Sequence, residues 1–363
     1  MFVSETKKVE DNIDIDNLVE EVSDPNTLKL KRLEDDVRIL KSRAEYAEKQ
    51  MHEITRIREH IFNLAEIPPN DKPNWLVKTT SGNREHTPVL VTGDFQWGEV
   101  INKENLDNIN EYNIQIAERR YKKVIEGTID ISFEHLAKNT YPGIIYLRLG
   151  DSISGDIHEE LRETNEASSI PATRSLVSAE TWGLKQLAEH FKKVHVISVP
   201  GNHSRVGKKP PTKRIEDNYD VLSAWWLESI FKDDKRFTWQ TPNSADAIFP
   251  IYGVNYLATH GDNIGSRGGQ GFVGPAATIL RGMKKVLDEY SRRDVYIEKI
   301  FLGHFHTAFD LGYGWSNGSL AGYSEFARAN RMTPELPTQW LIFFHKKYGS
   351  TSQWKLLPEA PKR

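Results

Sequence analysis

The 363-residue chain has no cysteine. That one absence excludes disulfides, thiolate zinc sites and cysteine nucleophiles together. Any metal would have to be held by His, Asp, Asn or Gln. Net charge is nearly missing as well: 48 basic against 51 acidic side chains leave −3, so no global field draws the chain to a polyanion. Contact with nucleic acid would need a local basic patch. No apolar run approaches the roughly 20 residues of a membrane span. The stretch from Met1 to Glu20 is acidic and lacks the apolar core of a signal peptide. The expectation is a soluble, cytoplasmic protein with no membrane contact. Internal repeats and low-complexity tracts are also absent, and the length allows one large domain with attachments or two modest ones.

Residues 1–27 are rich in Asp, Glu, Asn and Lys and read as a flexible acidic N-terminus. Residues 28–67 read as helical. Leu33, Val37, Leu40, Ala44, Ala47, Met51, Ile54 and Ile61 alternate in steps of four and three, with Arg58 interrupting one core position. This heptad seam fits either a coiled coil, and so a homo-oligomer through the helix, or a helix packed on its own domain. Pro68 and Pro69 end it, and 68–87 reads as a linker. From residue 88 to 363 short apolar strands alternate with helical stretches, which predicts an α/β layered domain. Helices are expected over Asn108 to His135, Ala179 to Lys193 and Asn218 to Phe231. A closing hairpin is expected from Trp340 to Phe344 and Gln353 to Leu357.

Five of the strands end in polar residues that suit metal chemistry. Val89-Leu90-Val91 leads to Gly93-Asp94-Phe95-Gln96, and Ile144 to Leu147 leads to Gly150-Asp151. Val194 to Val199 leads to Gly201-Asn202-His203, Tyr256-Leu257-Ala258 to His260-Gly261-Asp262, and Ile300-Phe301-Leu302 to Gly303-His304-Phe305-His306. Loops at one sheet edge bring such residues together. Hydrolysis of a phosphate ester needs an activated water, neutralised phosphoryl oxygens and a proton for the leaving group. A pair of divalent ions provides the first two. A shared carboxylate with several neutral nitrogen and oxygen ligands holds such a pair without cancelling its charge. In isolation His203 and His304 read equally as loop histidines, and His195, inside a strand, reads as a core histidine.

The order of the five motifs resembles the calcineurin-like metallophosphoesterase superfamily, over Val89 to about Thr307. That resemblance implies a layered β-sandwich flanked by helices, here carrying an N-terminal coiled-coil-like helix. It implies two divalent ions, manganese first, with magnesium, iron or zinc as other fits. Asp94 and His306 would lie on one ion, with the Gln96 carbonyl oxygen or a water at its remaining place, Asn202, His260 and His304 on the other, and Asp151 between them. His203 would be catalytic, as general acid or transition-state stabiliser, while a metal-bridging water attacks phosphorus. Two positions depart from the family. Gln96 stands where a histidine is usual, which predicts a weaker site selective for harder ions. Ser204 replaces the acidic residue that often follows Gly-Asn-His. Asp262 is a candidate acceptor behind His260, with a simple turn residue as the alternative.

Two loops bear on the substrate. The basic stretch from Ser204 to Arg214 offers Arg205, Lys208 and Lys209, and the glycine-rich stretch from Asn263 to Pro275 offers Arg267. Both begin beside candidate ligands, where cations can hold phosphates flanking the scissile one. Phe272, Tyr252 and Trp315 are candidate stacking faces or core residues, and Asp156 and His158 are candidate substrate contacts or loop supports. The leading expectation is a metal-dependent phosphodiesterase or nuclease acting on nucleic acid, resembling the repair-nuclease branch and bacteriophage-encoded phosphoesterases. The alternatives are a phosphomonoesterase acting on protein or nucleotide, and a catalytically weak phosphate-binding interaction protein.

Overall fold

The computed structural model describes residues 86–136, 140–209, 214–241, 244–264 and 274–359, with 29–31, 33–38, 40–41 and 44–45. The chain divides into two units, Met1–Thr55 and Arg56–Arg363. In the first, the described positions are helical, and Leu30, Leu33, Val37 and Leu40 are exposed. The rest of the heptad seam from Ala47 onward, the acidic N-terminus and almost all of the expected linker lie outside the described residues.

The second unit is a two-sheet sandwich flanked by helices. One sheet has the order β11-β10-β1-β2-β3-β4, with β1 His86–Thr92, β2 Ile144–Arg148, β3 Val194–Ser198, β4 Phe237–Gln240, β10 Gln339–His345 and β11 Gly349–Leu356. Strands β1 to β4 are mutually parallel, and β10 and β11 add antiparallel ribbons at one side. The other sheet has the order β5-β6-β7-β9-β8, with β5 Asp246–Ile251, β6 Val254–Thr259, β7 Ile300–Leu302, β8 Phe309–Asp310 and β9 Gly314–Ser316.

Alternate residues from both sheets meet in one core: Val89 and Val91 of β1, Ile145 and Leu147 of β2, Phe249 of β5, Phe301 of β7, and Trp340 and Ile342 of β10. That period of two is why these strands form a sandwich. The helices are α1 Ile114–Ile129, α2 Glu159–Thr164, α3 Ser169–Phe191, α4 Tyr219–Ile230, α5 Gly274–Ser291 and α6 Glu325–Ala329. Helix α3 packs on α1, α4 and β3. Helix α5 closes the far face of the second sheet, setting Ile279 and Met283 against Leu257, Ile300 and Leu302. Among the described residues no helix is long and apolar enough to cross a membrane.

Three boundaries differ from the sequence expectation. Strand β1 begins at His86 rather than 88 because His86 and Thr87 pair with His345 and Phe344. Helix α3 starts ten residues before Ala179. Its Pro171 lies in the first turn, where a missing N–H breaks no helical bond, and Asp156 accepts the Ser169 N–H (3.2 Å) and hydroxyl (2.6 Å). Helix α1 starts at Ile114, capped by Asn113, whose side chain accepts the Ile116 N–H.

Candidate metal centre

Parallel strands leave their C-terminal ends at one edge, and the five motifs leave β1, β2, β3, β6 and β7 there. Backbone bonds then tie the loops to one another. Asp94 N–H donates to Gly150 O (3.0 Å), Gln96 N–H to Asp151 O (3.1 Å) and Gly303 N–H to His260 O (2.9 Å). Asp94, Gln96, Asp151, His304 and His306 all have left-handed backbones, with φ of 49°, 50°, 50°, 69° and 53°. That region costs an L-residue about 1–2 kcal/mol. Such strain persists where the surroundings over-determine it, and it clusters at ligand sites. Glycines permit the close approach: a Cβ on Gly303 would stand 2.5 Å from Asp94 Oδ2, and one on Gly201 would collide with Asp151.

The side chains converge on Asp151. Its Oδ2 lies 3.0 Å from His260 Nε2 and 3.5 Å from Gln96 Nε2, and its Oδ1 accepts the His203 N–H (2.7 Å). His260 Nε2 is also 3.0 Å from Asn202 Oδ1. Ligand atoms of Asp151, His260 and His304 lie within 4.8 Å of one another, a spacing that one ion can span. On the other side, Asp94 Oδ1 is 3.4 Å from His306 Nε2, and both Asp94 oxygens accept the His304 N–H at 3.0 Å. One group therefore contains Asp151, His260, Asn202 and His304, the other contains Asp94 and His306, and Gln96 contacts the first through Asp151.

The charges call for cations. Asp94 and Asp151 are buried, and among the described residues their ion pairs are with histidines alone. Burial acts to raise the Asp151 carboxyl, but the charges of His260 and His203 outweigh it and hold the group well below the usual carboxylate range. Burial acts to lower His260, yet Asp151's charge and hydrogen bond push it up to about 10. His304 is held down at about 4 by burial and by the charge on His260. His306 is raised, because its hydrogen bond to Asp94 and that carboxylate's charge outweigh burial.

The hydrogen bonds also fix which nitrogen serves. His260 Nδ1 faces Leu149 O at 2.7 Å, and a carbonyl only accepts, so Nδ1 carries hydrogen and a bound ion would take Nε2. The buried Gln96 Oε1 has no hydrogen-bond partner. An unpaired buried acceptor on a side chain that reaches the buried Asp151 carboxylate suits a hard cation. The donor set fits divalent ions.

Other sequence candidates are dispersed. His260 is bonded by Leu149, Asn202 and Asp151, while the Asp262 carboxylate pairs with the Arg205 guanidinium. Lys208 and Lys209 are exposed a few residues beyond His203. Arg267 and Phe272 lie outside the described residues. Trp315 is buried, donating Nε1–H to Gln353, and Tyr252 packs against the sandwich core, so neither is a free stacking face. Asp156 caps α3, while the His158 ring lies 5.2 Å from that of His203. His195 is buried in β3 with Nδ1 2.9 Å from Thr238 Oγ1.

Sequence reasoning missed four residues around the centre. Asn218 and Asp220 look like ordinary helix-start residues, and Arg148 with Glu180 forms a buried pair beneath the Asp151 loop. Arg148, Glu180 and Asp220 signalled themselves only as charges beside apolar residues, and Asn218 only as a helix cap.

No protein-family model matches the chain, and no curated protein matches it in sequence. Among solved structures, a dimetal phosphatase from Danio rerio aligns with a TM-score of 0.34 and 10% identity, over 75% of this chain and 99% of its own. A sulfate thiohydrolase, SoxB, of Thermus thermophilus in complex with glycerol aligns at 0.31 and 10% identity, over 80% of this chain and 57% of its own. Scores this low carry no weight for the chemistry, which is taken from side-chain geometry.

Proposed function

We propose that this chain is a metal-dependent phosphoesterase, acting by preference on the phosphodiesters of nucleic acid. The observation that carries the reading is the convergence on Asp151, whose Oδ2 reaches both His260 Nε2 and Gln96 Nε2. Asp94, Gln96, His306 and Asp151 would hold one divalent ion, and Asp151, Asn202, His260 and His304 the other. Such ions, when bound, neutralise phosphoryl oxygens and lower the pKa of water. Manganese suits the mixed nitrogen and oxygen donors.

His203 Nδ1 lies 2.9 Å from Ser154 O, so that nitrogen carries hydrogen and Nε2 is left for the substrate. In its imidazolium form, with hydrogen on both nitrogens, it would give the Nε2 proton to the departing ester oxygen and be left as the neutral Nδ1–H imidazole. The preference for a diester rests on Lys208 and Lys209, exposed in the loop that follows His203, from which cations could hold the flanking phosphates of a polynucleotide. A homo-oligomer through the apolar stripe of the N-terminal helix belongs to the same proposal.

A second reading has its own support: Gln96 offers a poorer ligand than imidazole, which favours a site that binds phosphate and turns over slowly. Manganese-dependent hydrolysis of an aryl phosphodiester beside its monoester, in wild type and His203→Ala, separates these. Diester turnover lost in the variant supports the proposal. A monoester preference makes the protein a phosphatase, and metal uptake without turnover of either supports the binding protein.

A further inference from the structure

One buried carboxylate joins the two loops that carry the metal candidates, and nothing in the chemistry above uses it. Asp220, 1% exposed, is the second residue of α4. Its Oδ2 accepts the N–H of Asp151 (3.0 Å) and of Gly201 (2.8 Å), and its Oδ1 accepts the N–H of Ser152 (3.0 Å). Asn218 completes the grip. Its Oδ1 caps α4 by accepting the Asp220 N–H (2.8 Å), and its Nδ2 donates to Gly201 O (2.9 Å). The Gly201 residue is thus held at both N–H and C=O, directly before Asn202 and His203. A further bond, Tyr219 N–H to Ser204 O (2.8 Å), ties the same helix start to the far side of that loop.

The arrangement needs an acceptor on both oxygens. Among the described residues the Asp220 carboxylate forms no ion pair, and three backbone N–H groups stand in for a countercharge. An amide in its place would set an NH2 group against Ser152 N–H, or against Asp151 and Gly201 N–H, whichever way it turned. The carboxylate therefore fixes how far Asp151 stands from Asn202. That separation decides whether Asp151 Oδ2, Asn202 Oδ1 and His260 Nε2 can face one ion.

We propose that Asp220, assisted by Asn218, is a positioning residue that sets the affinity of this centre for divalent ions. The inference rests on the metal-centre reading above. Outer partners of metal ligands typically contribute 10- to 100-fold in affinity. Metal-free protein is titrated with manganese chloride by calorimetry, for wild type, Asp220→Asn, Asn218→Asp and Leu227→Ala. Asn218→Asp keeps the cap on Asp220 and removes the donor to Gly201. Leu227, buried about two turns further along α4, reports what loosening the helix does by itself. Thermal unfolding in chelator verifies that each variant is folded.

The expected result is manganese affinity at least tenfold weaker in Asp220→Asn, a smaller loss in Asn218→Asp, and wild-type affinity in Leu227→Ala. Equal losses in Asp220→Asn and Leu227→Ala, or no loss in Asp220→Asn, overturn the positioning role and leave the metal centre standing. Should Asp220→Asn fail to fold, Asn218→Asp decides: weakened affinity supports the role and unchanged affinity overturns it. A wild type that takes up no manganese removes the metal-centre reading, and this inference with it.

Discussion

Changing Glu180 to Leu strands a cation beneath the Asp151 loop. Glu180 Oε1 and Oε2 accept from Arg148 Nε and Nη2, each at 2.9 Å, and the two side chains are 0% and 2% exposed. Arg148 cannot relieve the loss by giving up its proton, because a guanidinium stays protonated in proteins even when its partner is gone. Breaking one side of such a pair costs about 3–5 kcal/mol, because the survivor stays charged and buried. For a domain of this size that is roughly 10 °C in Tm.

The double variant Arg148→Met, Glu180→Leu removes both charges. It leaves the Ser198 hydroxyl without the Arg148 bond (3.0 Å), while Ser223 keeps its bond to Asp220 O (2.9 Å) and Tyr146 keeps Tyr121 (3.2 Å). One or two lost hydrogen bonds cost about 1–2 kcal/mol. The double variant should therefore be more stable than Glu180→Leu alone by about 2 kcal/mol, and Arg148→Met completes the double-mutant cycle that gives the coupling. Urea unfolding in chelator gives the four free energies. A double variant no more stable than Glu180→Leu, or a single variant within 1 kcal/mol of wild type, would refute the reasoning.

His195 is held down at about 4 by burial, against an ordinary 6.5. The unfolded chain takes up this proton first, so stability is full above pH 6.5 and falls toward pH 4, by about 3 kcal/mol at 1.36 kcal/mol per pH unit. His195→Phe should flatten that part of the profile, and parallel profiles for the two proteins would count against it. Gln96→His should tighten manganese binding about tenfold, or 1.4 kcal/mol, by calorimetry; unchanged affinity removes Gln96 from the ligand set. Changing Lys208 and Lys209 to Ala should lower the salt slope of single-stranded DNA binding by about 1.4, and an unaltered slope makes the loop a solvated turn. Deleting residues 1–66 should lower the mass seen by light scattering if the N-terminal helix assembles the protein. An unchanged mass excludes that route.

Local rules reached a long way into this chain. Alternating apolar residues placed the parallel strands, Asn218 marked the start of α4, and the strand-end positions of Asp94, Asp151, Asn202, His260 and His304 were legible because each depends on a few neighbouring residues. The absence of cysteine fixed the donor types available to a metal. What local rules cannot reach is the distance between segments far apart in sequence. Only the packing of two sheets through Val89, Phe249, Phe301 and Trp340 brings the loops after β6 and β7 against those after β1 to β3.

The same packing paired Asp262 with Arg205 and buried Trp315. It also hid Arg148 and Glu180, 32 residues apart, inside segments that read as apolar. Residue types were set by the sequence alone. The spacing of the candidate ligands around Asp151 was set by tertiary contacts, because the three N–H bonds of Asp220 join loops that meet only when β2 and β3 pair, and His260 and His304 arrive only with the second sheet.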